Sequence, residues 1–248
     1  MDLIVFDLDG TLLNRHSEIS AYTRDTLRLL TEQGIAYTVA TGRTLHAARD
    51  LLHGQGFTLP QIFKNGVVIW NPQQGAYSHQ YLLCESEISH VLTAFIERDI
   101  TPFIFTLEPG QHHAVYHPPI KHDFEQKLAT IIGRERGLPV LPAAQLPATA
   151  EITNISALGP KSAIESVTAM VESEPNLVAY MGDAIEDKSL CWVDIHHNDG
   201  SKGSAVSLLK QELGVSRVLC FGDSDNDLSM FQQADECYAP ENAKAPPW

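Results

Sequence analysis

The sequence predicts an α/β fold: a parallel sheet with crossover helices, into which a second, α+β domain is inserted. Three observations predict it. Near both ends of the chain, short apolar strands that end in small polar turns alternate with amphipathic helices, the pattern of parallel strands joined by crossovers. Two of those strands, Leu3 to Phe6 and Val218 to Phe221, run directly into acidic clusters. Between Leu82 and His197 the rhythm changes to helices over strands that turn back on themselves. The expected division is a first domain of residues 1–81 and 198–248 and an inserted domain of residues 82–197.

The first strand leads into Asp7-Leu8-Asp9-Gly10-Thr11. Carboxylates at i and i+2 of a strand point to one side. They repel, and each seeks a cation or a proton. That pair suits a carboxylate nucleophile, a neighbouring acid/base and a divalent metal. The plainer alternative is a capped turn with two solvated aspartates. Ser20 to Gln33 then predicts a helix with Tyr22, Leu27 and Leu30 inward, stopped by Gly34. Ala36 to Ala40 predicts a second strand. Thr41-Gly42-Arg43 is its turn, and Leu45, Ala48 and Leu52 form the inner face of the next helix. Ligands of parallel sheets lie beyond the carboxyl ends of the strands, so Asp7, Asp9 and Thr41 should share one crevice. Ile62-Phe63 predicts a third strand, followed by a hairpin of Val67 to Trp70 and Ala76 to Tyr81.

In the insert, Ile88, Val91, Leu92 and Phe95 mark one face of a helix over 85–98. Strands follow at Pro102 to Leu107 and Ala114 to His117, around a Pro109-Gly110 turn. A helix over 123–136 should bury Phe124, Leu128, Ile131 and Ile132, and a Pro-rich loop occupies 137–149. Glu151 to Leu158 is a strand, and Pro160 opens a helix with Ile164, Val167 and Val171 inward. Leu177 to Met181 and Cys191 to His196 are strands. His112, His113, His117 and His122 lack the spacing of a zinc site and read as a solvated, His-rich hairpin. In the resumed first domain, Ser201 to Leu213 is a helix ended by Gly214, and Leu228 to Gln233 follows the second acidic cluster as another.

That cluster, Gly222-Asp223-Ser224-Asp225-Asn226-Asp227, is the second acidic pole. With Asp7 and Asp9 it makes an all-oxygen, highly charged site, which suits magnesium. An EF-hand loop counted from Asp223 needs a Glu at its twelfth position, and Asp235-Glu236 falls out of register. Ser201-Lys202-Gly203 opens a helix with small residues and a lysine, a natural phosphate cradle. Thr41-Gly42 offers a hydroxyl and backbone N–H groups in the same way. Lys161, Asp183 and Asp187 imitate the spacing of Lys202, Asp223 and Asp227. The later copy is favoured for its denser acid cluster and its Lys-Gly helix start.

Composition narrows the partners. The chain has 248 residues, 44% of them hydrophobic, enough for one large or two modest cores. A formal charge of −14 argues against nucleic acid, which needs clustered Lys and Arg. No apolar run is long enough to span a bilayer. Asp2 and Asp7 interrupt the apolar start, so no signal peptide is expected. Cys84, Cys191, Cys220 and Cys237 have no CxxC spacing, and two of them sit in apolar runs and read as reduced core residues. The expectation is a cytoplasmic protein, monomer or homodimer.

Asp-Leu-Asp-Gly-Thr at 7–11, Thr-Gly-Arg at 41–43, Ser-Lys-Gly at 201–203 and Gly-Asp-Ser-Asp-Asn-Asp at 222–227 resemble, in order, the four motifs of the haloacid dehalogenase (HAD) superfamily. The long insert between the second and third resembles the cap of its Cof-type phosphatase branch. The resemblance implies a Rossmann-like core, an α+β cap that selects the substrate, and a phosphatase for a small phosphorylated metabolite such as a sugar phosphate. Asp7 would attack phosphorus, and Asp9 would protonate the leaving oxygen and then activate water. Thr41, Gly42, Arg43, Lys202 and Asn226 would surround the phosphoryl group. Mg2+ would be held by Asp7, the Asp9 backbone carbonyl, Asp223 and Asp227, with Asp227 and Asn226 also supporting Lys202. Alternatives within the superfamily are a sucrose-phosphate or mannosylglycerate-phosphate type of phosphatase and a phosphosugar mutase. Outside enzymes, a metal- or ligand-binding regulatory module is the alternative. The resemblance also implies a strand and helix beyond Ala239-Pro240-Glu241-Asn242-Ala243, where this sequence has Ala245-Pro246-Pro247-Trp248.

Overall fold

In the computed structural model, residues 2–110, 112–135, 137–184 and 187–243 are described. In chain order the elements are β1 (Asp2–Phe6), α1 (Ala21–Glu32), β2 (Ala36–Val39), α2 (Leu45–Leu52), β3 (Gln61–Phe63), β4 (Val68–Asn71), β5 (Ala76–Gln80), α3 (Glu85–Glu97), β6 (Phe103–Glu108), β7 (His112–His117), α4 (Asp123–Thr130), β8 (Val140–Pro142), β9 (Glu151–Pro160), α5 (Lys161–Val171), β10 (Leu177–Asp183), β11 (Leu190–His197), α6 (Lys202–Glu212), β12 (Arg217–Phe221), α7 (Leu228–Phe231) and β13 (Glu236–Tyr238). They form two compact units, Met1–Gln80 with Asp199–Trp248, and Tyr81–Asn198. The Pro-Pro-Trp end of the chain lies outside the described residues.

The first unit is built on a parallel sheet of order β13-β12-β1-β2. β1 and β12 lie side by side in register, Leu3 opposite Val218 and Phe6 opposite Phe221. The alternate residues Leu3 and Val5 are fully buried among Ala205, Val206 and Leu209 of α6, Met230 of α7 and Val218 and Cys220 of β12. Each such side chain removed from water is worth about 1.5–3 kcal/mol. Tyr37 of β2 ties α1 in place, its hydroxyl meeting Thr31 Oγ1 at 2.7 Å and donating to Gln55 O at 2.8 Å. β3 joins the sheet only through a parallel bridge between Ala40 and Ile62, then turns into an antiparallel sheet with β4 and β5. β13 is a short strand that the polar Glu236 and half-exposed Tyr238 concealed from hydropathy. α1 differs from expectation on one residue: Leu27 is buried, but Tyr22 is 83% exposed. It sits at the second helical position, where the ring can hang clear of the sheet.

The second unit is a six-stranded sheet, β10-β11-β9-β6-β7-β8, antiparallel except where β8 runs parallel to β7. One face is covered by α3 and α5 through Ile88, Val91, Phe95, Ile164, Val167 and Val171. The other packs Phe103, Phe105 and Val115 against Ala129, Ile132 and Leu138. β8 lies inside the stretch expected to be a Pro-rich loop; Pro139 O accepts from Val115 N, so the proline needs no N–H of its own here. The expected 123–136 helix holds as α-helix only to Thr130, with a wider turn over Ile131–Glu135; Arg136 lies outside the described residues. Its inner face carries the fully buried Glu125 in place of Phe124, which is half-buried and stacks on His122. Glu125 accepts from Thr101 N and Oγ1, both at 2.7 Å, and from Lys121 N and His122 N. The His-rich stretch is not uniformly solvated: His113 is buried and His117 packs on Phe103. Cys191 and Cys220 are buried, Cys84 and Cys237 exposed, and all four are free thiols.

Candidate active site

The site grows from the end of β1. Asp7 N donates to Phe221 O at 2.9 Å, which extends the β1–β12 ladder one position past the strand and sinks the Asp7 side chain beneath the surface. The chain then winds tightly, with Leu12 N and Leu13 N returning to Asp7 O and Leu8 O. Gly10 makes that winding possible with φ +83°, and a Cβ there would stand 2.3 Å from Asp223 Oδ2. Glycine therefore lets the two acidic loops touch as well as turn. Thr11 Oγ1 donates to Asp223 Oδ1 at 3.2 Å and closes the gap between them.

Lys202 fixes the centre. Ser201 caps α6 by accepting from Ser204 N, so Lys202 is the first helical residue and its side chain points down the helix start. Its Nζ is completely buried and donates to Asp7 Oδ1 and Asp227 Oδ1, each at 2.6 Å. Asp227 Oδ2 accepts from Asp223 N at 2.9 Å and Ser224 N at 3.0 Å. Both Asp227 oxygens are thus engaged, one holding the lysine and the other the loop that carries Asp223. Gly203 lets α6 come close: a Cβ there would lie 2.2 Å from Ser229 O, and its N–H donates to Ser229 Oγ.

The charges are not balanced. Burial pushes the Asp7 carboxyl up to about 7; Lys202 opposes that rise, and the Asp227 charge adds to it. Burial works against the Lys202 ammonium, but Asp7 and Asp227 outweigh it and hold it above the usual lysine value. Asp223 is raised by burial and then by Asp227, with the Thr11 hydrogen bond pulling the other way. Asp7, Asp223 and Asp227 each offer an oxygen, all within 4.8 Å of one another. Among the described residues this is the one such group of His, Cys, Asp or Glu. Three hard oxygen donors with two raised carboxyl pKa values and one lysine are short of positive charge, which fits a divalent cation.

Thr41, Gly42 and Arg43 form the wall. Ala40 N bonds to Phe6 O and Thr41 N to Ile62 O, so the buried Thr41 lies just past the end of β2, next to the end of β1. Thr41 Oγ1 accepts from Arg43 N at 3.1 Å. Arg43 is turned onto Asp9, its Nε and Nη2 donating to the two carboxylate oxygens at 2.7 and 2.6 Å. Asp9 is exposed, whereas Asp7 and Asp227 are buried. Asn65 was not singled out by the sequence. Lys64 and Asn65 both take left-handed backbone, at φ +51° and +55°, with Asn65 N donating to Thr41 O. Asn65 Oδ1 accepts from Asn226 Nδ2 at 3.0 Å, which joins the turn after β3 to the loop after β12. An Asn before Gly at a strand end was the available signal, because Asn tolerates that conformation.

The Lys161 set differs. It lies in the second unit, where Lys161 Nζ meets Asp183 Oδ1 at 3.2 Å with both side chains more than half exposed. Asp187 is bonded to Ser189. These residues form no buried charge cluster.

The sequence profile of the haloacid dehalogenase-like hydrolases matches residues 4–246. The 5-amino-6-(5-phospho-D-ribitylamino)uracil phosphatase YwtE of Bacillus subtilis is 27% identical over 269 residues, covering 98% of this chain and 88% of the relative. The phosphatase YwpJ of the same organism is 26% identical over 269 residues, covering 98% and 90%. A solved haloalkanoate-superfamily phosphatase from Bacteroides thetaiotaomicron, BT1666, superposes with a TM-score of 0.79 at 19% identity, over 98% of this chain and 85% of that one.

Proposed function

The chain belongs to the haloacid dehalogenase-like hydrolase family, and from that premise we propose that it is a magnesium-dependent phosphatase of a small phosphorylated metabolite, working through Asp7. The observation that carries the proposal is the Asp7–Lys202–Asp227 chain, a buried carboxylate at a strand end held by a buried lysine. Relatives of like length are named as phosphatases, and one is named for a phosphate ester on a ribityl chain. That supports a polyol or sugar phosphate as substrate class.

In this reading Asp7 attacks phosphorus with the oxygen that Lys202 does not hold. The P–O ester bond breaks, the leaving oxygen takes the proton of Asp9, and a phosphoaspartate remains. Asp9 then takes a proton from water as that water attacks phosphorus, which frees phosphate and restores both aspartates. Thr41 and the Gly42 N–H receive phosphoryl oxygens, and Lys202 neutralises them. Asp7, the Asp9 carbonyl and Asp223 would hold magnesium, with Asp227 fixing the loop; the ion supplies charge neutralisation between nucleophile and phosphate.

The test is phosphate release from a panel of sugar and polyol phosphates, with magnesium and with chelator. Metal-dependent release is expected, abolished in Asp7→Asn and little changed in Asp183→Asn. Full activity in Asp7→Asn would sink the mechanism. Tight ligand and metal binding without release would favour a regulatory module.

A further inference from the structure

Arg43 sits beside the phosphoryl-binding turn, yet its charged edge is already occupied. Nε and Nη2 both donate to Asp9, and Nη1 points to Ala47 O at 3.5 Å, at the start of α2. Its backbone N–H is held by Thr41 Oγ1. A guanidinium fork spent on one carboxylate cannot clasp a phosphoryl group through the same edge. The pair also contributes little as a stabilising contact, since the Asp9 side chain is 54% exposed. What the fork does achieve is geometric. An aspartate on a half-exposed turn has two free torsions, and a bidentate clamp fixes both the direction and the plane of its carboxyl group. Each oxygen keeps a further lone pair for the reacting proton.

We propose that Arg43 is a positioning residue for the proton-transferring Asp9, and not a ligand of the phosphoryl group. The inference rests on the phosphatase reading above. In the first half-reaction Asp7 bonds to phosphorus, the ester P–O bond breaks, and the proton on Asp9 passes to the leaving oxygen. That last transfer matters for an alkoxide and hardly at all for a leaving group that is stable as an anion. Loss of Arg43 is therefore selective for alkyl esters.

The experiment compares kcat/KM of wild type, Arg43→Ala, Arg43→Lys, Asp9→Asn and the Asp9→Asn/Arg43→Ala double variant. The two substrates are glycerol phosphate, an alkyl ester, and p-nitrophenyl phosphate. kcat/KM reports only the steps up to loss of the leaving group, so water activation does not enter. Arg43→Ala is expected to lose about 100-fold on the alkyl ester, at the lower end of what proton transfer supplies, and less than about threefold on the aryl ester. Inorganic phosphate should inhibit it as it does wild type. Arg43→Lys should not restore the alkyl ester, because an ammonium contacts one oxygen and not a plane. The double variant should be no slower on that ester than Asp9→Asn alone. Equal losses on the two esters, with weakened inhibition by inorganic phosphate, would overturn the inference and leave the phosphatase reading standing. A wild-type chain that releases phosphate from neither ester would overturn both.

Discussion

A lysine ammonium with no exposed surface persists at the start of α6 because Asp7 and Asp227 share it. Removing one partner of such a group is more damaging than never having built it, since the remaining charges stay buried and unpaired. Lys202→Met is therefore expected to cost about 3–5 kcal/mol, read as a lowered denaturant midpoint of the metal-free protein. A variant with wild-type stability would show that water reaches this centre. The same burial governs pH. Asp7 is raised from 3.8 in the unfolded chain to about 7, so the folded protein binds the extra proton across that window. Metal-free stability from this group is greatest below about 4 and declines as pH rises towards 7. A divalent ion must displace that proton, so magnesium affinity measured by calorimetry should weaken as pH falls from 8 to 6, with proton release on binding. An affinity constant across that range would contradict the shift. At this scale the sequence was informative where residue type alone carries the chemistry, as with Asp7, Asp223 and Lys202. It was silent on Asn65, whose part depends on a left-handed backbone, and on the Arg43–Asp9 pair, whose members lie 34 residues apart.

Elements are placed by small residues and by one buried acid. Gly203 permits α6 to approach the Ser229 carbonyl, so Gly203→Ala must push the helix start outward and Lys202 with it. The expected outcome is a fall in phosphate-releasing activity larger than the fall in melting temperature would explain. An unchanged kcat would mean that α7 yields instead. In the second unit, Glu125 reaches back over the start of α4, receiving Thr101 together with the N–H groups of Lys121 and of His122, the residue that caps the helix. Glu125→Ala leaves the buried Thr101 N–H and hydroxyl unsatisfied, at about 1–3 kcal/mol each, and should unfold this unit at lower denaturant. Periodicity found α3, α5 and α6 because apolar residues at helical spacing dominate their inner faces. It misjudged α4 because a carboxylate occupies the inner face there, and Tyr22 because an aromatic ring at a helix's first turn need not follow the stripe.

For the whole molecule, two separate cores mean that stability need not be a single quantity. The acidic cluster belongs entirely to the first unit, so magnesium should raise the unfolding midpoint of that unit and leave the protection of amides in β6, β9 and β11 unchanged. Hydrogen exchange with and without the ion separates the two, and uniform protection throughout would show one cooperative block. The parallel first sheet and the mixed second one were legible because strand–turn–helix alternation and strand hairpins have different rhythms. The departure of β3 into its own small antiparallel sheet was not, since one bridge at Ala40 and Ile62 leaves no trace in hydropathy.

The pairing of β1 with β12 has a consequence for synthesis. Asp7 and Lys202 are 195 residues apart, so on the ribosome the strand that leads into Asp7 emerges early and waits with one edge open until its neighbour is translated. The second unit, encoded in one continuous stretch, can complete its own sheet in the meantime. Nascent chains of this protein therefore carry a finished inner domain flanked by an unfinished first one, and that waiting strand is the segment a chaperone would be expected to shield.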